Sequence, residues 1–206
     1  TAAVTGTPAA TAPAMTTATT PTTDPTTALT TALLDRDWTY TNPVRTERQW
    51  RSQIHEVASP DGRLYVDASA FPDGHMIARL SADAVRTDPG RTPAWMADLH
   101  EVPLAVALAA VRAAADSGNS PHPIVVAVTA ALAGHGWTQY PDITERGCLL
   151  QREWQSPDGT RSVRWNPADQ DDEGGWSVDR EGPGDGETHA SQHTPAAVIT
   201  ALALTD

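Results

Sequence analysis

Hydrophobic and polar residues alternate along two stretches of the chain, and the same four residues interrupt both. Ser59-Pro60-Asp61-Gly62 recurs letter for letter as Ser156-Pro157-Asp158-Gly159. Proline presets φ for a type I turn, aspartate tolerates the next position, and glycine adopts the left-handed conformation that follows. Because strand-like sequence flanks both copies, each predicts the tip of a β-hairpin, and all eight residues receive a structural role in the turns.

The alternation also predicts the length of the hairpin loops. A three-residue loop would place Trp154 opposite Ser162 and divide the apolar face, whereas a four-residue loop keeps that face intact. In the second hairpin, the four-residue loop creates a face that combines arginine with tryptophan: Arg152, Trp154, Arg161 and Trp165.

The segments around the two hairpins resemble each other as well. A short apolar helix precedes each hairpin, two further strands follow it, and a helix that opens at Pro103 or Pro195 closes each unit. The predicted fold class is α+β. We expect two tandem repeats of helix–four antiparallel strands–helix, packed with pseudo-twofold symmetry and preceded by a disordered tail.

Composition divides the chain into four segments. Residues 1–25 are almost entirely threonine, alanine and proline, which predicts a disordered tail. The first repeat covers residues 26–115, a linker 116–123, and the second repeat 124–206. No apolar stretch is long enough to span a bilayer and no signal peptide opens the chain, so we expect no membrane partner.

The charge balance narrows the classes of partner. The chain carries 26 acidic and 14 basic residues, a net charge of −12, and every basic residue is arginine. Such acidity argues against non-specific binding to nucleic acid or to anionic lipid. Cys148 is the single cysteine, so no intrachain disulfide forms. Its position next to Leu149 predicts a buried structural thiol.

The candidate metal and catalytic motifs are incomplete. His189 and His193 fall on a predicted strand, about 13 Å apart, with no third ligand nearby. The segment 169–174 resembles the start of a calcium loop, but Arg180 occupies the position that requires a bidentate acid. No nucleophile elbow, P-loop or dinucleotide fingerprint is present. We therefore predict no metal, no cofactor and no catalytic residue.

With the repeat laid out, the chain resembles the SPDY-domain family, a domain of unknown function from streptomycetes and related actinobacteria. The resemblance covers about residues 45–113 and 135–204, and Gly62 and Gly159 stand where the family name has tyrosine. It implies a cytoplasmic accessory protein of undefined activity and supplies no catalytic residues. Besides both SPDG turns, it rests on four residues: Trp95, Trp176, Pro103 and Pro195.

Two functions fit these observations. The first is a non-enzymatic binding module with an unknown protein partner. The alternative is a single-stranded nucleic-acid-binding protein of Whirly-like or PUR-like architecture, because arginine planes and indole rings stack on bases. The oligomeric state is left open. In the alternative, the binding residues are those of the second hairpin: Arg152, Trp154, Arg161 and Trp165.

Overall fold

The computed structural model describes most of the chain. Its description covers residues 24–47, 52–70, 76–82, 93–117, 124–169, 173–181 and 186–206. The predicted disordered tail therefore lies outside the described residues up to residue 23, as do residues 118–123 of the predicted linker. We refer to residues 24–117 as the first half and to residues 124–206 as the second half.

The two halves contain the same order of elements, a helix followed by six strands and a closing helix. The first half consists of α1 (Pro25–Leu34), β1 (Thr39–Tyr40), β2 (Arg45–Glu47), β3 (Ser52–Ala58), β4 (Leu64–Ala70), β5 (Met76–Ala82), β6 (Trp95–His100) and α2 (Leu104–Asp116). The second half consists of α3 (Ile124–Gly134), β7 (Thr138–Gln139), β8 (Ile143–Glu145), β9 (Cys148–Gln155), β10 (Arg161–Asn166), β11 (Gly175–Arg180), β12 (Glu187–Ser191) and α4 (Ala196–Leu204).

The strands form one antiparallel sheet, which confirms the α+β class. Its order is β1-β3-β4-β5-β6-β12-β11-β10-β9-β7, with β2 also on β3 and β8 also on β9. Where the sequence predicts four strands per half, the structure has six. The additional strands are two or three residues long. An alternating pattern needs about four residues to be visible, so the sequence did not reveal them.

Both outer edges of the sheet are built from two short strands in place of one long strand. β1 and β2 pair with opposite ends of β3, and β7 and β8 pair with opposite ends of β9. Pro43 and Pro141 lie in the connections between them. Short, interrupted edges with proline offer few free backbone groups to another strand, so they disfavour edge-to-edge association.

The hydrophobic core lies between the four helices and one face of the sheet, the helix-covered face. Leu29 and Leu33 of α1 pack in one cluster with strand residues such as Val66 and with Ile199 of α4. Each of these side chains is at most 2% exposed. Burial of apolar area at about 25 cal/mol per Å² is the main force that holds the helices on this face.

The halves join at the centre of the sheet, where β6 pairs with β12. Ala97 lies opposite Ala190, and α2 packs against α4 on the helix-covered face. Side chains strengthen this junction: Ser191 Oγ accepts from Met96 N at 3.2 Å, and Thr194 Oγ1 donates to Met96 O at 3.1 Å. A single sheet and core therefore run through both halves.

The two SPDG turns have the predicted four-residue loops. In the first hairpin, Ser59 N donates to Leu64 O at 2.9 Å; in the second, Ser156 N donates to Arg161 O at 2.9 Å. Ser156 Oγ donates to Asp158 Oδ1 at 2.5 Å, and this bond, with help from Thr160, lowers the Asp158 pKa to about 2. The register is confirmed by the pairing of Trp154 with Val163.

Several boundaries and one burial differ from the predictions. α1 begins at Pro25, inside the predicted tail, because Asp24 caps it by accepting from Thr26 N and Thr27 N. α2 extends to Asp116, the first residue of the predicted linker. Cys148 is exposed and not buried, because it follows the two-residue turn of the β8–β9 hairpin at the sheet edge. Within the described ranges, the helices are too short to cross a membrane.

Candidate functional site

The arginine–tryptophan face of the second hairpin exists as predicted, but it belongs to the helix-covered face. Trp154 is 1% exposed. Its ring stacks on that of Trp176 at 6.2 Å between centroids, and the Trp165 ring lies 6.1 Å from the same residue. Three indoles thus fill the core beneath the helices. Trp154 offers no ring surface to a nucleobase in this structure.

Arg161 reaches the end of a helix, where its side chain stays 17% exposed beside Asp206. Its Nη1 donates to Ala203 O at 3.1 Å, and its guanidinium lies 5.9 Å from the centroid of the Trp137 ring. Arg180 Nη2 donates to Leu202 O at 2.6 Å and to Thr205 O at 2.5 Å. Burial, reinforced by the charge of Arg161, lowers the pKa of Arg180. The two arginines satisfy the terminal carbonyls of α4 and complement the negative end of its dipole.

Arg152 is also committed to an intramolecular contact. Its Nε and Nη2 donate to the two carboxylate oxygens of Asp142 at 2.8 and 2.6 Å. This bidentate pair lowers the pKa of Asp142. The four predicted nucleic-acid-binding residues therefore serve packing, capping and pairing. Trp154 is buried, whereas Arg152, Arg161 and Trp165 stay partly exposed at the edge of the core.

The opposite face of the sheet, the open face, is polar across both halves. Pairing aligns its side chains in rows that cross eight strands, from β3 to β9. The first row consists of Glu56, Asp67, Arg79, Asp98, His189, Ser177, Arg164 and Glu153. The second row consists of Ile54, Ser69, Ile77, His100, Glu187, Asp179, Ser162 and Gln155.

Ion pairs organise the open face. Arg79 Nε donates to Asp98 Oδ1 at 2.6 Å, and its Nη2 donates to Asp98 Oδ2 at 3.2 Å. This contact raises the pKa of Arg79. In the second half Arg164 Nη2 donates to Asp179 Oδ2, which raises the pKa of Arg164. Both arginines of the two rows are therefore paired with aspartates of neighbouring strands.

Acidic residues outnumber basic ones on this face. The two rows hold six carboxylates, two arginines and two histidines, a formal charge of −4 with the histidines neutral. Three of the carboxylates are bonded to arginines, in the pairs Glu56–Arg45, Asp98–Arg79 and Asp179–Arg164. The excess negative charge of the two rows therefore comes from Asp67, Glu153 and Glu187.

A groove follows the junction of the halves on the open face. A hollow of about 450 Å³ lies over β6, β12, β11 and β10, and a second hollow of about 350 Å³ continues it toward Trp95 and His193. The two hollows share Met96 and Ser191 in their linings. We call this feature the seam groove and define it by six lining residues: Met96, Asp98, Glu173, Glu187, His189 and Ser191.

A serine, a histidine and an aspartate lie side by side in the first row. Ser177 pairs with His189, and His189 pairs with Asp98. The hydrogen bonds run elsewhere, because His189 Nε2 lies 2.9 Å from Glu187 Oε1 and Asp98 is held by Arg79. No hydrogen bond joins Ser177 to His189 in this part of the structure, so the three residues lack the nucleophile-to-base contact of a catalytic triad.

The histidines and acids of the described ranges form no group of three that could hold a metal ion. β12 ends at Ser191, so His193 lies beyond the strand on which the sequence places it, next to Gln192. Residues 170–172 of the calcium-loop-like segment lie outside the described residues.

The fold and the groove together define an α+β protein whose single large sheet has one helix-covered and one open face. No protein-family model, curated protein or solved structure matches the chain.

The sequence predicted both faces of the second hairpin, but the candidate site was placed on the apolar, helix-covered face and not on the open face. The signal was present in the second hairpin, where Gln151, Glu153, Ser162 and Arg164 alternate with the apolar residues. The seam groove had no comparable signal. It depends on the pairing of β6 with β12, which lie far apart in the chain.

Proposed function

We propose that this chain is a non-enzymatic interaction module, built from two tandem repeats of the SPDY type, whose binding surface is the open face of the sheet. The observation that carries this proposal is a mainly polar sheet face that runs across eight strands, contains the seam groove and lies opposite the face on which the described helices pack. The partner is a protein.

The repeat is supported by the way the halves meet. Each half has the same order of elements, and its last strand, β6 or β12, lies at the centre of the sheet. These two strands pair antiparallel, and the two closing helices pack on each other. A twofold axis normal to the sheet would generate this arrangement. The resemblance to the SPDY family rests on the residues that shape it, the two SPDG turns and the strands with Trp95 and Trp176.

The open face suits binding more than catalysis. Most of its ion pairs are partly exposed, as in Arg79–Asp98 with side-chain exposures of 54% and 26%, whereas Glu56 is buried beside Arg45. Nucleophilic catalysis requires a base in hydrogen-bond contact with its nucleophile in a site that excludes water. The His189–Glu187 pair is more than half exposed and lies in an open groove.

Single-stranded nucleic acid is the alternative partner, with Arg152, Trp154, Arg161 and Trp165 as its contacts. The burial of Trp154 and the acidity of the open face argue against this alternative. The described arginines are also divided between the two faces, as Arg79 and Arg164 on one and Arg161 and Arg180 on the other illustrate. A labelled 12-nucleotide DNA titrated at low salt tests this reading. Binding that is lost in Arg152→Gln would support it.

Site-specific photocrosslinking tests the proposed surface directly. A photoreactive phenylalanine analogue replaces Asn166, which is exposed beside the seam groove. In the matched control it replaces Val126, which is 64% exposed on α3. Crosslinking is carried out in the cells that produce the protein, and the crosslinked protein is then purified and its affinity measured.

The proposal expects a protein that crosslinks from position 166 and not from position 126. In purified form that protein should bind the wild-type chain and bind an Asn166→Arg/Ser177→Arg variant at least tenfold more weakly. Equal crosslinking from both positions, or an affinity that the variant retains, would show that the open face is not the binding surface.

A further inference from the structure

The seam groove has the shape of a site for an extended chain. The first hollow follows β12 from Glu187 to Ser191, four residue steps, or about 13 Å at 3.3 Å per residue, and the second hollow continues past the end of the strand to His193. At its wider end the groove crosses four strands, β6, β12, β11 and β10. A segment of about four extended residues matches the part of the groove that follows β12.

The charge of the groove selects the chemistry of that segment. Asp98, Glu173 and Glu187 line it beside Arg164. Because Arg79 holds Asp98 and Asp179 holds Arg164, the excess negative charge of the groove comes from Glu173 and Glu187. Glu187 is 55% exposed at its side chain, so it remains accessible to a partner beside His189. Beyond the groove, the same face adds further negative charge across both halves.

The second hollow adds apolar side chains to the polar ones, because Trp95 and Met96 line it together with Glu173 and His193. Met96 lies between the two hollows and lines both of them. Methionine adapts its shape to irregular partners, and the alkyl stems of lysine and arginine cover such surfaces while their charged ends reach carboxylates. A lysine or arginine side chain satisfies both features of the groove at once.

Other occupants fit the groove less well. Phosphate groups of nucleic acid or lipid would meet the carboxylates of the open face, which repel them. A second copy of this chain would bring the same acidic face and a net charge of −12 against it. Like charges placed against each other cost several kcal/mol, so complementarity favours a basic partner.

We propose that the seam groove binds an extended, arginine- and lysine-rich segment of a partner protein. This inference rests on the proposed function, because it names the chemistry of the partner for the same open face. Electrostatic attraction then accelerates association at low ionic strength, and the affinity falls as salt rises.

Fluorescence anisotropy with defined peptides tests the proposal. The probe is a labelled decapeptide of alternating arginine and alanine, and its matched control replaces every arginine with glutamate. A labelled 12-nucleotide single-stranded DNA forms the third arm. Each is titrated with the full chain at 50 and 300 mM salt.

Two double variants of equal net charge locate the site. Glu173→Gln/Glu187→Gln removes two carboxylates from the groove. Asp116→Asn/Glu145→Gln removes two exposed carboxylates outside it. Circular dichroism melting checks that both variants stay folded.

The arginine peptide is expected to bind the wild-type chain, and the groove variant should lose about fivefold to tenfold in affinity. The control variant should lose less than twofold. Equal losses in the two variants, or equal binding of the glutamate peptide or the DNA, would overturn the proposal. No binding of the arginine peptide would also overturn it, whereas the crosslinking from position 166 decides the proposed function independently.

Discussion

The two halves of the protein build the same layers from different side chains. At three matched positions of the helix-covered face, the first half has Val57, Ala68 and Ala78, and the second has Trp154, Trp165 and Trp176. In the first half α1 packs against β3 and β4, whereas in the second half α3 packs mainly against α4. Large indoles thus occupy the volume in the second half that a closely seated helix occupies in the first.

A second contrast lies at the position of His55, which is matched by Arg152. His55 is 5% exposed, and its Nδ1 lies 3.3 Å from both Thr30 Oγ1 and Tyr40 Oη, while its Nε2 has no partner. Arg152 instead forms a partly exposed ion pair with Asp142. The halves therefore share backbone and register while their polar groups differ, so the stability tests below compare either equivalent positions of the two halves or a buried position with an exposed control.

The largest difference in unfolding free energy is expected between the variants Trp154→Ala and Val57→Ala, which change matched positions of the two halves. Removing the buried indole, which stacks on Trp176, should cost about 3–5 kcal/mol of unfolding free energy, because a large cavity remains. The smaller Val57→Ala change should cost about 2 kcal/mol. Urea unfolding measures both. Equal costs would show that the indoles do not carry the packing of the second half.

A smaller loss of unfolding free energy is expected for Arg180→Met. This variant retains an apolar side chain and removes the hydrogen bonds to the last carbonyls of α4. We expect a cost of about 1–2 kcal/mol. Arg112→Met on the exposed side of α2 is the control, with a change within about 0.5 kcal/mol. An unchanged melting temperature for Arg180→Met would contradict the capping role.

Replacing the glycine of either SPDG turn with alanine is expected to lower the stability by a similar, modest amount. Gly62 and Gly159 have φ values of +70° and +75°, and in neither case would a Cβ meet an atom closer than 3.7 Å. Substitution by alanine should therefore cost only the left-handed conformation, about 1 kcal/mol at each turn. Thermal unfolding of both variants tests this, and a twofold difference between them would mean that the turns are not equivalent.

The smallest effect concerns pH. Burial lowers the pKa of His55, an effect that Asp24 partly opposes. The unfolded chain therefore binds a proton at His55 before the folded chain does, so stability falls as the pH drops below about 6.5. In His55→Gln this slope should decrease, whereas His193→Gln at an exposed position should leave it unchanged. Urea midpoints between pH 5 and 7.5 measure the slope, and identical slopes in all three proteins would exclude His55 as its source.

The sequence predicted most of the fold because local chemistry specified it. The SPDG turns set the loop length, and the alternation of Trp154 and Trp165 with polar residues set the register. Short strands such as β1 were not predicted, because two residues are too few to show an alternating pattern. The exposure of Cys148 was missed because adjacent apolar residues suggested burial, whereas the sheet edge decided it.

The candidate site was less predictable for a structural reason. Sequence reasoning selected Arg161 and Trp154 for their chemistry, but their chemistry equally suits capping and packing, and only the position of α4 distinguishes these roles. The seam groove combines Asp98 with Glu187, residues from different halves. Their proximity arises from a pairing of distant strands, which no local pattern encodes.

Carbodiimide labelling of carboxylates, read out by mass spectrometry, tests the central claim most directly. The label is applied with and without a saturating arginine–alanine decapeptide, and each acidic residue is compared with itself. The account predicts that the peptide protects Glu173, Glu187 and Asp98, while Glu145 and Asp116 label as before. Protection spread evenly over all exposed acids, or confined to residues outside the seam groove, would contradict it.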